Sequence, residues 1–111
     1  MIGEELKELL DKIKDKTVIV EGKRDKKALS YFNFTKIITI NHGLFETAEE
    51  ISKTNNEVII LTDFDKEGRL IARKLGLFLQ SFSCKVDRQS RRKIGLLFSK
   101  LKIKNVEELK I

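Results

Sequence analysis

Short apolar runs alternate with longer amphipathic segments along this chain. Three runs rich in β-branched residues, at 17–20, 36–40 and 57–61, have the length of strands buried on both faces, and a shorter run at 83–86 predicts a fourth strand. Between the runs, apolar side chains recur every three or four residues, as in helices that bury one face. Helices are predicted at 4–14, at 44–53 and at about 67–81. Two more are predicted: one follows the first strand and buries Ala28, Leu29 and Phe32, and the other begins after Asp87, which caps it.

Strands that alternate with helices predict an α/β fold with a parallel sheet between two helix layers. Crossover connections between parallel strands are right-handed. If the second strand pairs on the far side of the first, the strand order is 2-1-3-4, and ligands of such sheets bind where the order reverses. We therefore predict a three-layer α/β/α, Rossmann-like fold with a four-stranded parallel sheet. We expect one domain over 1–111, with a core at about 17–100 and the helix 4–14 packed on it.

Acidic residues follow two of the predicted strands. Glu21 follows the first strand, and Asp63 and Asp65 follow the third. Because parallel strands end at one edge of the sheet, we expect the three carboxylates to converge there. Clustered carboxylates repel one another, and a hard divalent cation relieves the repulsion. With one cysteine and one histidine in the chain, the ligands favour Mg²⁺ or Mn²⁺ over zinc.

The Asp-x-Asp motif alone has other interpretations. Asp65 could serve only as the N-cap of the following helix. The motif also matches the start of a calcium-binding loop, but Lys74 stands where that loop has glutamate and a strand precedes it. Aspartate-nucleophile phosphatases are similar in having Asp-x-Asp after a strand, although there it follows the first strand.

The net charge of +6, from 23 basic and 17 acidic residues, favours anionic partners. Since Mg²⁺ often completes its coordination with phosphate oxygens, a phosphate-containing substrate is expected. The helix dipole destabilises each exposed cation in the first turn of the fifth helix by ~0.3–1 kcal/mol. A cluster of cations at this place suggests phosphate contacts instead of a face that is merely solvated. The predicted nucleic-acid contacts are Lys23, Arg24, His42, Lys66, Arg69, Arg88, Arg91 and Arg92.

Glu21-Gly22-x-x-Asp25 after one strand and Asp63-x-Asp65-x-x-Gly68 after another together resemble the Toprim domain, over about residues 17–100. The chain looks most like small stand-alone Toprim proteins related to the 5S ribosomal RNA maturation nuclease. The resemblance implies that Glu21 is the general acid or base, with a share in the metal site, and that Asp63 and Asp65 hold Mg²⁺. It implies that Gly22 lets the backbone turn, that Asp25 orients the loop and that Gly68 allows close packing. Phe64 stands where many relatives have proline.

Two functions are compatible with these residues. The first is Mg²⁺-dependent phosphodiester chemistry on RNA or DNA. The enzyme would be a nuclease, and therefore a hydrolase, that acts in RNA processing. The second is a nucleic-acid-binding module, or a subunit of a larger RNA- or DNA-processing complex, without its own turnover. A phosphatase is a distant third. Strand passage is not expected, because Tyr31, the only tyrosine, lies in a predicted helix.

Neither the apolar runs nor the first residues predict a membrane protein. No run approaches the ~20 residues that span a bilayer. The start, Met1-Ile2-Gly3-Glu4-Glu5, lacks the basic and apolar regions of a signal peptide. We therefore expect a cytoplasmic protein with no membrane partner.

Overall fold

The structure, a computed structural model, describes residues 3–109. Helices and strands alternate along this part of the chain as the apolar pattern predicts, with their ends displaced by a residue or two. In chain order the elements are α1 (Glu4–Ile13), β1 (Val18–Val20), α2 (Lys23–Ser30), β2 (Ile37–Thr39), α3 (Leu44–Ser52), β3 (Glu57–Ile60), α4 (Lys66–Ser81), β4 (Lys85–Val86), α5 (Arg88–Lys100) and a 3₁₀ turn (Val106–Glu108).

The four strands form one parallel sheet in the order β2-β1-β3-β4, which confirms the predicted order. In register, Val18 of β1 lies between Ile37 of β2 and Ile59 of β3. Because every pairing is parallel, the carboxyl ends of all four strands lie at one edge of the sheet.

Helices cover both faces of the sheet, so the predicted three-layer α/β/α architecture is confirmed. Successive residues of a strand face opposite sides, and β1 divides its side chains accordingly. Val18 and Val20 belong to the core formed with α1, α2 and α5. Ile19, between them, belongs to a second core formed with α3 and α4. Helices α4 and α5 therefore lie on opposite faces of the sheet.

The edge strand β4 is shorter than its neighbour. It has two residues and pairs only with Glu57 and Val58, the first two residues of the four in β3. The chain then turns at Asp87 and enters α5. The carboxyl-terminal half of β3 consequently has no strand on its outer side. No helix within residues 3–109 is both long and apolar enough to cross a bilayer.

Leucine truncation on α4 tests the assignment of its buried face. Leu79 is fully buried and Leu77 is 58% exposed on the same helix. We expect Leu79→Ala to lower the free energy of unfolding by about 2–5 kcal/mol, because it removes packed methyl groups and leaves a cavity. Leu77→Ala should change it by about 0.5 kcal/mol or less. Urea unfolding measures both, and equal losses in the two variants would contradict the packing described here.

Candidate functional site

The side chain of Glu21 extends the hydrogen-bond ladder between β1 and β3. Two N–H groups of the third strand donate to carbonyls on the β1 side, Ile59 to Thr17 at 2.9 Å and Leu61 to Ile19 at 2.7 Å. One step further along, the N–H of Asp63 donates to Oε2 of Glu21 at 2.8 Å. The Glu21 carboxylate thus occupies the place of the next backbone carbonyl. The structure brings the acid after β1 directly against the first aspartate after β3.

On the other side of β3, Arg91 continues the ladder where β4 ends. Two carbonyls accept bonds from the backbone of the edge strand, Asn56 from Lys85 and Val58 from Asp87, both at 2.8 Å. The next alternate carbonyls, of Ile60 and Thr62, accept hydrogen bonds from Nη1 of Arg91 at 3.0 Å each. Nη2 of Arg91 donates to the carbonyl of Asp63 at 3.2 Å. One guanidinium therefore holds the segment that leads into the aspartate pair.

Phe64 fixes the other side of the Arg91 guanidinium. Cζ of Arg91 lies 4.4 Å from the centroid of the Phe64 ring, a cation–π contact, and that ring meets Phe98 edge-on at 5.3 Å. The N–H of Phe64 donates to the carbonyl of Lys104 at 2.7 Å. Proline has no N–H and could not form this bond, which gives a physical reason for a residue other than proline at position 64.

The burial of Arg91 sets it apart from the other cations at the start of α5. Arg91 is partly buried, whereas Arg88 and Arg92 beside it on α5 are exposed. Burial, and then the charge of Arg69, lower the pKa of Arg91 to about 10, so the guanidinium stays charged at neutral pH. Its main contacts are with the backbone after β3, because the short β4 leaves those carbonyls without partners. Contact of Arg91 with a phosphate of nucleic acid stays a prediction, for a guanidinium that is already bonded to the backbone.

Asp65 caps α4, one of the alternatives that the sequence left open. Its Oδ1 accepts a hydrogen bond from the N–H of Gly68 at 2.7 Å, and the rest of this carboxylate is exposed. The hydroxyl of Thr62 donates to the carbonyl of Gly68 at 2.7 Å. A Cβ at Gly68 would overlap the carbonyl oxygen of Asp63. Close packing of the loop against the helix start therefore requires glycine at this position.

The loop after β1 is closed by Asp25 and does not depend on Gly22. Oδ2 of Asp25, a buried residue, accepts a hydrogen bond from the N–H of Gly22 at 3.2 Å, which caps α2. Gly22 itself is extended, with φ −150° and ψ −178°, and a Cβ there would meet no atom within 4 Å. The chain bends at Glu21 and Gly22, but neither the φ of Gly22 nor its surroundings require glycine there.

Negative charge accumulates around Asp63. Burial, followed by the charges of Glu21, Asp25 and Asp65, raises the pKa of Asp63 from its usual value to about 6. Asp25 has a raised pKa as well, chiefly through burial. Among residues 3–109, however, no three His, Cys, Asp or Glu side chains are placed to hold one ion. Shared metal binding by Glu21, Asp63 and Asp65 stays a prediction.

The acidic group nevertheless fits a hydrated hard cation. Its ligands are all carboxylate oxygens, and Mg²⁺ commonly takes one or two carboxylates and keeps several waters. A divalent cation beside Asp63 would relieve the repulsion that raises its pKa.

The predicted cationic residues fall into two groups. Lys23 and Lys66 begin α2 and α4 beside the carboxylates and are exposed, as is His42 after β2. Arg24 pairs with Glu107 at 3.5 Å, and both side chains are largely exposed. The second group, Arg69, Arg88 and Arg92, lines a groove between α4 and α5 together with Arg73 and Arg91. Sequence reasoning missed Arg73, although its spacing of four from Arg69 places both on one face of a helix.

Replacement of Arg91 tests its role in holding the β3 end. Arg91→Met should lower the free energy of unfolding by about 1.5–3 kcal/mol, because three carbonyls lose a charged donor. Arg91→Lys should recover little, since one ammonium cannot reproduce the planar fork. Hydrogen exchange of the Asp63 and Phe64 amides should accelerate in both variants. Arg92→Met, at the exposed neighbouring position, is the control, and equal effects at 91 and 92 would contradict the role.

The raised pKa of Asp63 predicts how stability depends on pH. Between the unfolded value near 3.8 and the folded value of about 6, the native state binds more protons than the unfolded state. Ionisation of Asp63 should therefore destabilise the metal-free protein as pH rises through this window. Asp63→Asn removes the effect. The free energy of unfolding of this variant, relative to the wild type, should therefore increase by about 1 kcal/mol between pH 4 and 6.5, allowing for solvent screening, and then level off.

Thermal unfolding across this pH range, in a chelator, measures the difference between the two proteins. Asp15→Asn, an exposed position before β1, controls for the loss of one negative charge. A difference that stays constant with pH would refute the assignment to Asp63.

Comparisons with known proteins agree with this geometry. The Toprim domain family matches residues 16–106. A UPF0292 protein of Methanosarcina barkeri is 37% identical over 115 residues, covering 96% of this chain and 78% of that protein. A UPF0292 protein of Pyrococcus abyssi is 35% identical over 104 residues, covering 91% of this chain and 78% of its own length. A solved structure described as a putative protein from Aquifex aeolicus superimposes with a TM-score of 0.78 at 30% identity, over 95% of each chain.

These relatives carry no name that refers to 5S ribosomal RNA, so the narrower resemblance to that maturation nuclease stays a prediction. The match to the Toprim domain covers most of the chain and includes both acidic motifs. The chain belongs to the Toprim domain family, with UPF0292 proteins among its relatives.

Proposed function

We propose that this protein carries out Mg²⁺-dependent phosphodiester chemistry on nucleic acid, and that it acts as a nuclease on RNA or DNA. Membership of the Toprim family supports the broader part, because Toprim domains are generally associated with nucleic acid and bind Mg²⁺ through acidic residues. The observation that carries the proposal is the contact of the Glu21 carboxylate with the backbone of Asp63. We also propose that residues 1–111 are one Toprim domain.

Asp63 and Asp65 would hold the metal in this proposal, with Glu21 close enough to share it. Mg²⁺ (or Mn²⁺) would polarise a phosphoryl oxygen and stabilise the charge that develops on it. The surroundings of Asp63 support the choice, since burial and then the charges of Glu21, Asp25 and Asp65 raise its pKa, and a bound cation would favour the ionised form. Asp65 can contribute Oδ2 while Oδ1 continues to cap α4.

Glu21 is the proposed general acid or base. Its Oε2 accepts the N–H of Asp63, which restricts the rotation of the carboxylate and leaves Oε1 to hold or release a proton. As a base, Oε1 would take the proton of an attacking water, and as an acid it would protonate a leaving oxygen. Such proton transfer typically contributes ~10²–10⁴-fold to a rate.

Phosphate would approach where two helices begin. The amino-terminal ends of α2 and α4 follow the acidic loops, and helix N-termini favour anions. Lys23 and Lys66, both exposed at these ends, and His42 are the proposed contacts for the phosphates beside the carboxylates. Arg24 is a further proposed contact, because its ion pair with Glu107 is exposed to solvent and therefore weak.

The second candidate function is nucleic-acid binding without turnover, as a module or a subunit of a larger complex. One observation favours it: within the described part of the chain, no three ligating side chains are arranged around one ion. A partner or a substrate would then have to complete the metal site. The RNA-processing role rests on the resemblance to the 5S ribosomal RNA maturation nuclease.

Cleavage assays separate these functions. Structured RNA and DNA are incubated with the protein in Mg²⁺, in Mn²⁺ and in chelator. We expect cleavage that requires metal, and a fall of about 10²-fold or more in Glu21→Gln and Asp63→Asn. Glu57→Gln, which removes a carboxylate at the other end of β3, should retain activity.

Unchanged activity in both site variants would overturn the proposal. Tight, salt-sensitive binding with no metal-dependent cleavage would favour the binding module instead.

A further inference from the structure

The groove between α4 and α5 is a consequence of the short edge strand. The two helices lie on opposite faces of the sheet, and β4 ends before it fills the space between them. The resulting concavity has a volume of about 690 Å³, with Ile60, Phe64 and Val86 among its lining residues. One end of it therefore reaches Phe64, the residue between the two aspartates of the motif.

Five arginines line this groove, and its lining within the described part of the chain includes no acidic residue. Four of the five are exposed, and only Arg91 is partly buried. Their side chains form no salt bridge with any residue between 3 and 109. Asp87, the N-cap of α5, is engaged with Ser90 and Lys16. The full list is Arg69 and Arg73 from α4 and Arg88, Arg91 and Arg92 from α5.

A bound anion would stabilise such a concentration of guanidinium groups. Like charges repel, and the cations at the start of α5 also face the positive end of the helix dipole. Arginine in particular presents a planar fork of donors that matches the oxygens of a phosphate. The arrangement is therefore suited to a polyanion whose charges are spaced along the groove.

We propose that this groove binds the sugar-phosphate backbone of a single strand of nucleic acid and leads it to the carboxylates after β3. The proposal rests on the proposed function for its substrate class and adds the path by which that substrate lies on the protein. Arg91 joins the two regions, since it lines the groove and also contacts the carbonyl of Asp63.

A single strand fits the groove better than a duplex does. Leu77 and Leu96 also line it and are 58% and 61% exposed. Unpaired bases and sugars offer apolar surface to such side chains, whereas a duplex keeps its bases stacked inside. The backbone of a strand can also enter a narrow concavity between two helices.

Binding of a labelled, unstructured oligonucleotide, measured by fluorescence anisotropy in chelator, tests the groove without any cleavage. The variant replaces two exposed groove residues together, Arg73→Gln and Arg92→Gln. We expect its Kd to rise ~10-fold or more, and the slope of log K against log salt to become shallower by about 1.4, from two lost phosphate contacts at ~0.7 each.

The matched control removes the same charge from the same two helices. Lys74→Gln with Lys93→Gln changes residues adjacent in sequence to Arg73 and Arg92 that do not line the groove. Its Kd and salt slope should stay close to those of the wild type. Equal weakening by the two double variants would overturn the proposal, because it would make net charge, and not the groove, the cause.

Two further outcomes would also overturn it. One is tighter binding of a duplex of the same length than of the single strand. The other is displacement of the oligonucleotide by polyglutamate at equal charge concentration, which would make the groove a site for acidic protein segments.

Failure of the groove and failure of the enzyme are distinguishable. Asp63→Asn should abolish cleavage without weakening binding in chelator. If neither the wild type nor any variant cleaves nucleic acid and the arginine variant still loses affinity, the groove proposal holds and the proposed nuclease activity fails. If cleavage is present and the arginine variant keeps both its Kd and its KM, the groove proposal fails alone.

Discussion

The rest of the site depends on how the backbone at the end of β3, beyond its pairing with β4, is hydrogen-bonded. Beyond β3 the backbone stays extended, but on the outer side no strand accompanies it. Buried carbonyls without partners cost about 1–3 kcal/mol each. Arg91 supplies the donors on that side, and Glu21 supplies an acceptor for the N–H of Asp63 on the other. A cation and an anion thus hold the aspartate motif between them.

This arrangement gives the same atoms structural and chemical roles. Oε2 of Glu21 positions the motif, while Oε1 is the proposed proton carrier. Oδ1 of Asp65 caps a helix, while Oδ2 is available to a metal. Loss of activity in a variant of either residue can therefore arise from a displaced loop or from lost chemistry, and a measurement of stability beside each rate separates the two.

Much of this structure could be predicted from the order of residues. β-branched runs between amphipathic segments predicted the strands and a parallel sheet. If the second strand pairs on the far side of the first, Glu21 and Asp63 follow adjacent strands, and this predicted their proximity. The position of Arg91 could not be predicted, because it depends on where β4 stops and which way one helix face turns. The bond from Phe64 to Lys104 joins residues far apart in the chain. That a side chain would fit at Gly22 could not be predicted either, since it depends on which atoms surround this position in the fold.

The short β4 also has a consequence for how copies of this protein meet in a crowded solution. A strand whose edge carries free carbonyls and N–H groups can pair with a strand of another chain and begin aggregation. Arg91 occupies the half of β3 that β4 leaves unpaired, and another strand would have to displace this charged side chain and leave it without partners. Arg91 therefore disfavours edge-to-edge association at this half of β3, where a longer β4 would otherwise have to cover the edge.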